Sequence, residues 1–511
     1  MKGLVTATML GIDVGTGGTR ALLIDRTGRV LGTATANHKP FSSPKTGWAE
    51  QDAQDWWRAC GEAIRRSLST SQIPASEIAC VGFSGQMHGA VLLDSAGTPL
   101  RPSLIWCDQR TAEEAAQLTE SIGADRLIAW TCNPALTNFT LTKLLWVRKH
   151  EPHIFAKFKT LQLPKDYVRF RLTGEYAMDM ADASGTLLLD VANRRWSSEM
   201  AKASGIGPSV LPQLFESCEV CGVVSKAGAE ATGLRAGTPV VAGAGDQAAG
   251  AVGLGVVAPG AVHATIGTSG VVFASTDRPA MDPHGRLHTF CHAIPDRWHV
   301  MGVTQSAGLS LRWFRDRFGV MGSEADDPYE ALAQEAAAAP SGCDGVMWAP
   351  YLMGERTPHL DPEARAALVG LAAGHGRAHI VRAILEGVAF SLKDSFSIFE
   401  EMNVPVKQIR LGGGGARSFL WRQIQADVYA HEVEIVATEE GAAYGAALLA
   451  GVGAGVWKSV DDACRQAVHV SARLGPNEAS SAIMQQQYLK YRRLYPALRT
   501  INDDSSSVQT A

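Results

Sequence analysis

A chain of 511 residues is too long for one ordinary hydrophobic core, so two large domains are the default expectation. Apolar residues make up 46% and charged residues 19%, with a formal net charge of −4. That balance gives no electrostatic reason to expect nucleic acid or an anionic membrane as partner. From the N-terminus, residues 9–14 read as a strand, a Gly-rich turn follows, and 20–25 resumes as a second strand. Thr27-Gly28 marks a hairpin turn and 30–36 a third strand. Residues 52–68 have the period of an amphipathic helix with Trp56, Trp57, Cys60 and Ile64 on one side, and 78–84 is strand again. The N-terminal part is therefore α/β and opens on an antiparallel hairpin.

From Gln247 to Thr276 there is no Asp, Glu, Lys or Arg, a run longer than the roughly 18 apolar residues that flag a transmembrane helix. It carries Pro259, His263 and six glycines, so it reads as buried strands and turns and not as a span. Within it lies an echo of the N-terminus. Leu10-Gly11-Ile12-Asp13-Val14-Gly15-Thr16-Gly17-Gly18 is strand, then Gly-Thr-Gly; Val262-His263-Ala264-Thr265-Ile266-Gly267-Thr268-Ser269-Gly270 repeats the design. Two similar domains in tandem explain both the echo and the length, with a boundary in 255–260. His288 and His292 flank a segment that reads as strand and are taken as structural, not as a metal pair. Further on, 380–399 is a long helix, 408–411 a strand before four glycines, and 421–430 and 442–450 helices. Residues 500–511 are expected to be a disordered tail.

Nine cysteines are odd in number and scattered, and only Cys218 and Cys221 form a C-x-x-C pair. With no second pair to complete a zinc site, they read as free thiols of a reducing cytoplasm. No secretory signal is visible: the apolar stretch 4–12 is short and Asp13 interrupts it.

The 52 glycines are about a tenth of the chain, and they cluster beside apolar runs. A loop that grips a phosphate needs free backbone N–H groups, and glycine lets the chain come close. Residues 13–19 supply such a turn, with hydroxyls from Thr16 and Thr19, the cation Arg20, and Asp13 placed to hold a magnesium ion through water. Gly267-Thr268-Ser269-Gly270 is a second loop of this kind, and Gly412-Gly413-Gly414-Gly415 would let an adenine ring lie against backbone. Gly243-x-Gly245-x-x-Ala248 and Gly253-x-Gly255-x-x-Ala258 match a loose dinucleotide fingerprint. Asp246 inside the first would repel a pyrophosphate, and the second runs directly into Pro259. No G-x-x-x-x-G-K-[ST] loop and no protein-kinase motif set occurs. Asp246 itself is a lone acid in an apolar, Gly-rich run. It must be hydrogen-bonded, metal-linked or working as a base, and a helix N-cap role is compatible with any of these.

Several stretches, in order, resemble the FGGY carbohydrate kinases of the actin-like ATPase superfamily. They are Gly11-Ile12-Asp13-Val14-Gly15-Thr16, Gly85-Gln86-Met87-His88-Gly89, Leu163-Pro164-Lys165-Asp166-Tyr167 and Asp182-Ala183-Ser184-Gly185-Thr186. Gly245-Asp246-Gln247-Ala248-Ala249-Gly250, Gly267-Thr268-Ser269-Gly270, Gly354-Glu355-Arg356-Thr357-Pro358-His359 and Gly413-Gly414-Gly415-Ala416-Arg417-Ser418 complete the series. The likeness covers about 10–496 and is greatest to members that phosphorylate D-xylulose. It implies an α/β architecture of two ribonuclease-H-like domains of the actin/hexokinase type around a central cleft. An N-terminal domain, 9–255, would hold the sugar site, the first phosphate loop and the catalytic Asp; a C-terminal domain, 256–485, would hold the nucleotide.

By that resemblance the activity is transfer of phosphate from ATP to D-xylulose in pentose catabolism, with Mg2+. Asp246 would be the general base, and Asp13 a catalytic, magnesium-linked carboxylate with Asp246 beside the metal. Met87, His88, Gln247 and Trp106 would meet the sugar, and Thr16, Arg20, Thr268, Ser269, Gly414, Gly415 and Ser418 the nucleotide. A homodimer is common in the family. Gln247 departs from the Asn usual after this Asp and resembles the glycerol kinases, whereas Gln86-Met87-His88-Gly89 does not. Ribulose, another pentulose or glycerol is therefore the alternative acceptor, and an actin-like ATPase without a sugar the remote one. With an ordinary pKa near about 3.9, Asp246 would orient the hydroxyl and take its proton late, as the bond to phosphorus forms.

Overall fold

The computed structural model describes residues 7–319, 327–438 and 440–505. Two seven-stranded sheets organise it. In the first, β1 (Thr8–Val14), β2 (Gly18–Ile24) and β3 (Val30–Asn37) form an antiparallel meander. The helix α1 (Ala53–Ser71) follows, started by the Asp52 side chain, which accepts from Gln54 N–H; it buries Trp56, Cys60 and Ile64. Next, β4 (Ile78–Gly85) returns parallel to β1. Then come α2 (Pro164–Thr173), β5 (Ala177–Asp179), α3 (Met180–Ala183), β6 (Val220–Val223), β7 (Pro239–Val241) and the short β8 (Ala244–Gly245). The strand order is β6-β7-β4-β1-β2-β3, with β8 also on β4. The helix α4 (Asp246–Gly253) closes this half.

The second sheet repeats the plan. β9 (Ala261–Ile266) and β10 (Gly270–Thr276) form a hairpin like β1 and β2. β11 (His288–Cys291) and β12 (Trp298–Thr304) extend the antiparallel side. After α5 (Gly308–Phe318), α6 (Pro328–Ala336) and the long α7 (Arg377–Glu401), β13 (Gln408–Gly413) pairs parallel with β9. α8 (Phe419–Tyr429), β14 (Val433–Val436), α9 (Gly441–Gly453), β15 (Val470–Leu474) and α10 (Leu494–Ser505) complete the chain described. The order β11-β12-β10-β9-β13-β14-β15 puts β9 where β1 stands in the first sheet, so the echo in the sequence is a structural repeat.

The halves meet where α9 crosses β1, β4 and α4. A side chain on Gly11 would overlap the Ala443 carbonyl, one on Gly82 the Ala446 carbonyl, and one on Gly445 the Ala249 carbonyl. Glycine at these points is dictated by backbone-to-backbone approach. The uncharged run 247–276 differs from the expected strands and turns in its first part, which is the helix α4. Its residues Asp246-Gln247-Ala248-Ala249-Gly250-Ala251-Val252-Gly253 are too small and uniform to show a period. Among the described residues no helix is long and apolar enough to cross a membrane. α10 runs to Ser505, through the first six residues of the stretch expected to be a tail, and 506–511 lie outside the described residues. All nine cysteines, Cys218 and Cys221 included, are unpaired thiols.

Candidate functional site

Sheet register brings the two candidate carboxylates together. Asp13, near the end of β1, pairs with Arg20 on one side and Ser84 of β4 on the other. β8 lies along the far edge of β4, Ala244 against Ser84 and Gly245 against Gly85, and Asp246 follows directly. It is the first residue of α4 with Gly245 as N-cap, one position beyond the N-cap role considered for it. Burial pushes the Asp246 carboxyl up to about 7; the Asp13 charge adds to this, and Gln247 opposes it through its N–H and side chain. The ordinary value expected for Asp246 is thus corrected, because burial and a like charge from a distant strand leave no trace in local sequence. Asp13 is also pushed up by burial, against the Ser84 hydroxyl and the Arg20 charge, and its buried Oδ1 has no hydrogen-bond partner among the described residues.

Beside these acids, Met87 and His88 form a wall. Met87 packs on Gly245, where an added Cβ would stand 2.8 Å from its Cγ. His88 sits at φ 67°, an uncommon left-handed conformation for a residue with a side chain. Its Nδ1 lies 2.8 Å from the Gly185 carbonyl, and burial, with Lys143 and Arg356 adding, pushes the ring down to about 3. The imidazole is therefore neutral. A carbonyl can only accept, so the proton is on Nδ1 and Nε2 is left as an acceptor. Lys143 Nζ donates to the carbonyls of His88 at 2.9 Å and Asn138 at 2.6 Å. From the other half of the molecule, Arg356 Nη2 donates to Asn138 Oδ1 at 2.8 Å.

The first loop is braced from the same side. Trp106 Nε1 donates to Thr16 Oγ1 at 3.0 Å, Gln51 Nε2 to the Thr16 carbonyl at 2.8 Å, and Gln86 Nε2 to Gln51 Oε1 at 2.9 Å. The Thr16 hydroxyl is held by this brace. Arg20 Nη1 pairs with Glu440 Oε2 at 2.7 Å, tying the loop to the start of α9.

The other expected residues line a cavity of about 440 Å³ in the second half. Thr268 from the second loop and Gly414, Gly415 and Ser418 from the third share it with Tyr329 and Ala333 of α6. Ser418 also caps α8, accepting from Trp421 N–H at 3.4 Å. Ser269 is not among the lining residues; its carbonyl instead accepts from Gly267 N–H and closes the turn. Sequence reasoning missed Gln51, Asn138, Lys143, Tyr329 and Ala333. None stands in a Gly-rich motif, and only folding brings them to these walls.

Family models match most of the chain: the N-terminal domain of the FGGY family of carbohydrate kinases over 8–253 and the C-terminal domain over 262–454. A xylulose kinase of Bacillus subtilis (strain 168) is 38% identical over 98% of this chain and 98% of its own. One from Escherichia coli (strain K12) is 39% identical over 96% and 99%. The crystal structure of a "xyloylose kinase" from Brucella ovis aligns with TM-score 0.89 and 36% identity, covering 97% of this chain and 100% of that one.

Proposed function

We propose that this chain, which belongs to the FGGY family of carbohydrate kinases, transfers the γ-phosphoryl group of ATP to the terminal hydroxyl of D-xylulose, giving D-xylulose 5-phosphate and ADP. It is a sugar kinase by family; xylulose is the acceptor named for its near full-length relatives. The observation that carries the mechanism is the Asp246 carboxyl, raised to about 7 and directly following Gly245, on which Met87 packs.

In this reading the ketose lies against Met87 and His88, with His88 Nε2 accepting from one of its hydroxyls. Asp246, in its ionised form, accepts a hydrogen bond from the terminal hydroxyl. It takes the proton as oxygen bonds to phosphorus. Gln247 holds the carboxylate through its own N–H and side chain. ATP takes the cavity, its base against Gly414 and Gly415 and its phosphates toward Thr268 and the N–H groups of residues 16 and 17.

The site suits magnesium: the buried Asp13 Oδ1 lacks a hydrogen-bond partner, and a second carboxylate close by feels its charge. Hard oxygen donors with repelling charge suit a small divalent cation. Asp13 would hold it, with Asp246 nearby, and when bound it would neutralise phosphate charge. Arg20, already paired with Glu440, would act on the phosphates through its field and through Asp13. ADP release measured over a panel of ketoses and polyols tests the reading. It requires strict dependence on D-xylulose and loss of that dependence in Asp246→Asn.

A further inference from the structure

Beneath this site lies a charge cluster that the proposed reaction does not use. Lys165, Asp166 and Arg169 of α2, Asp179 of β5 and Asp182 of α3 are all fully buried. Lys165 Nζ stands 2.6 Å from Asp166 Oδ1, 2.5 Å from Asp179 Oδ2 and 3.3 Å from Asp182 Oδ2. Arg169 reaches Asp166 Oδ1 at 3.0 Å and donates to the carbonyls of Ala242 and Ala177. Two cations face three acids, so neutrality requires one retained proton. Burial pushes the Asp182 carboxyl strongly up and the Asp179 carboxyl up as well, with Lys165 opposing both, so the retained proton belongs to this pair.

Buried ionic networks are weak contributors to stability, and apolar residues of the same shape often serve as well. The contacts of this one point to a different use. An added Cβ on Gly85 would stand 2.9 Å from Lys165 Cβ and 3.0 Å from the Val14 carbonyl. One on Gly245 would stand 3.2 Å from Asp182 Oδ1. Arg169 holds the Ala242 carbonyl just before the chain turns at Gly243, φ 79°, toward Asp246. The cluster therefore touches the ends of β4 and β8, after which Met87-His88 and Asp246 follow.

We infer that Lys165 is a positioning residue for phosphoryl transfer: its bridge to Asp179 and Asp182 packs α2 and α3 against the paired Gly85 and Gly245, and so holds the residues that follow them, Met87–His88 and Asp246, in place relative to each other. The inference rests on the kinase reading above. Misplacement of reacting groups by about 1 Å can cost a hundredfold in rate.

The test compares wild type with Lys165→Met and with Lys165→Met/Asp179→Asn, in which one cation and one acid are removed together and charge balance is kept. The double variant is expected to melt near wild type and keep its KM for ATP, while kcat with D-xylulose falls about a hundredfold. A merely structural role predicts that restored folding restores kcat, and wild-type kcat in the folded double variant would overturn the inference. Should neither lysine variant fold, Asp182→Ser removes the carboxyl that meets Lys165 and Gly245 and leaves Lys165, Asp166, Arg169 and Asp179 in place. A fall in kcat of about tenfold or more without a change in melting temperature is then expected, and an unchanged kcat overturns the proposal. Turnover of D-xylulose by wild type, measured alongside, shows separately whether the kinase reading itself holds.

Discussion

Asp246→Asn should destroy the activity and stabilise the protein. In the fold the carboxyl is raised from 3.8 to about 7, mainly by burial and then by Asp13. A raised carboxyl pKa means that the folded state holds its proton more tightly than the unfolded chain does. The fold is therefore favoured at low pH and loses stability as pH rises from about 4 through 7. That displacement corresponds to about 4 kcal/mol above pH 7. Asp246 is only partly buried, so solvent screens part of the penalty and about 2 kcal/mol is the expected gain on neutralising it. For domains of this size that is a rise of about 5 °C in melting temperature. The assay is thermal melting of both proteins with chelator present, at pH 8, 6 and 4. The advantage of the variant should be greatest at pH 8 and vanish near pH 4, while turnover of D-xylulose falls by about a thousandfold or more. An Asn variant no more stable than wild type at pH 8, or an advantage independent of pH, would refute the reasoning.

The buried ring of His263 is pushed down to about 3, by burial and then by His292. A depressed histidine favours the fold above its unfolded pKa of about 6.5, and that contribution is lost as pH falls. Urea midpoints should show His263→Gln losing about 2 kcal/mol less than wild type between pH 7 and 5; equal losses contradict the assignment. Gly414 lines the cavity, and an added Cβ there meets only the Ile266 carbonyl at 3.8 Å. Gly414→Leu should therefore fold normally and raise KM for ATP about tenfold or more, at roughly 1.4 kcal/mol per tenfold, with KM for D-xylulose unchanged. Gly445→Ala would drive a methyl group into the Ala249 carbonyl and should lower stability by about 3 kcal/mol, read by chemical denaturation.

The hairpin strands, α1, α7 and α8 stand within a few residues of where periodicity puts them, because their signals are local: alternation in the strands, a 3.6-residue period in the helices. Of α4 only the start was legible, in the N-cap role considered for Asp246; the Ala- and Gly-rich residues after Gln247 carry no period, and packing against α9 sets the rest. The site divides in the same way. Asp13, Asp246 and the Gly-rich loops announce themselves by chemistry that sits oddly in an apolar run. The bond from Arg356 to Asn138 joins residues 218 apart, and the Lys165 cluster assembles only when α2 and α3 fold under β4 and β8. Burial likewise decides how Asp246 titrates, and burial belongs to the fold and not to any short stretch of residues.

Phosphorus NMR of a reaction containing this protein, ATP, magnesium and D-xylulose tests the central claim most directly. The account predicts ADP and a sugar monophosphate in equal amounts, the phosphate on the terminal C5 oxygen, and no ADP when the sugar is omitted. ADP formed at the same rate without sugar, or a product formed from another ketose in preference to D-xylulose, would contradict it.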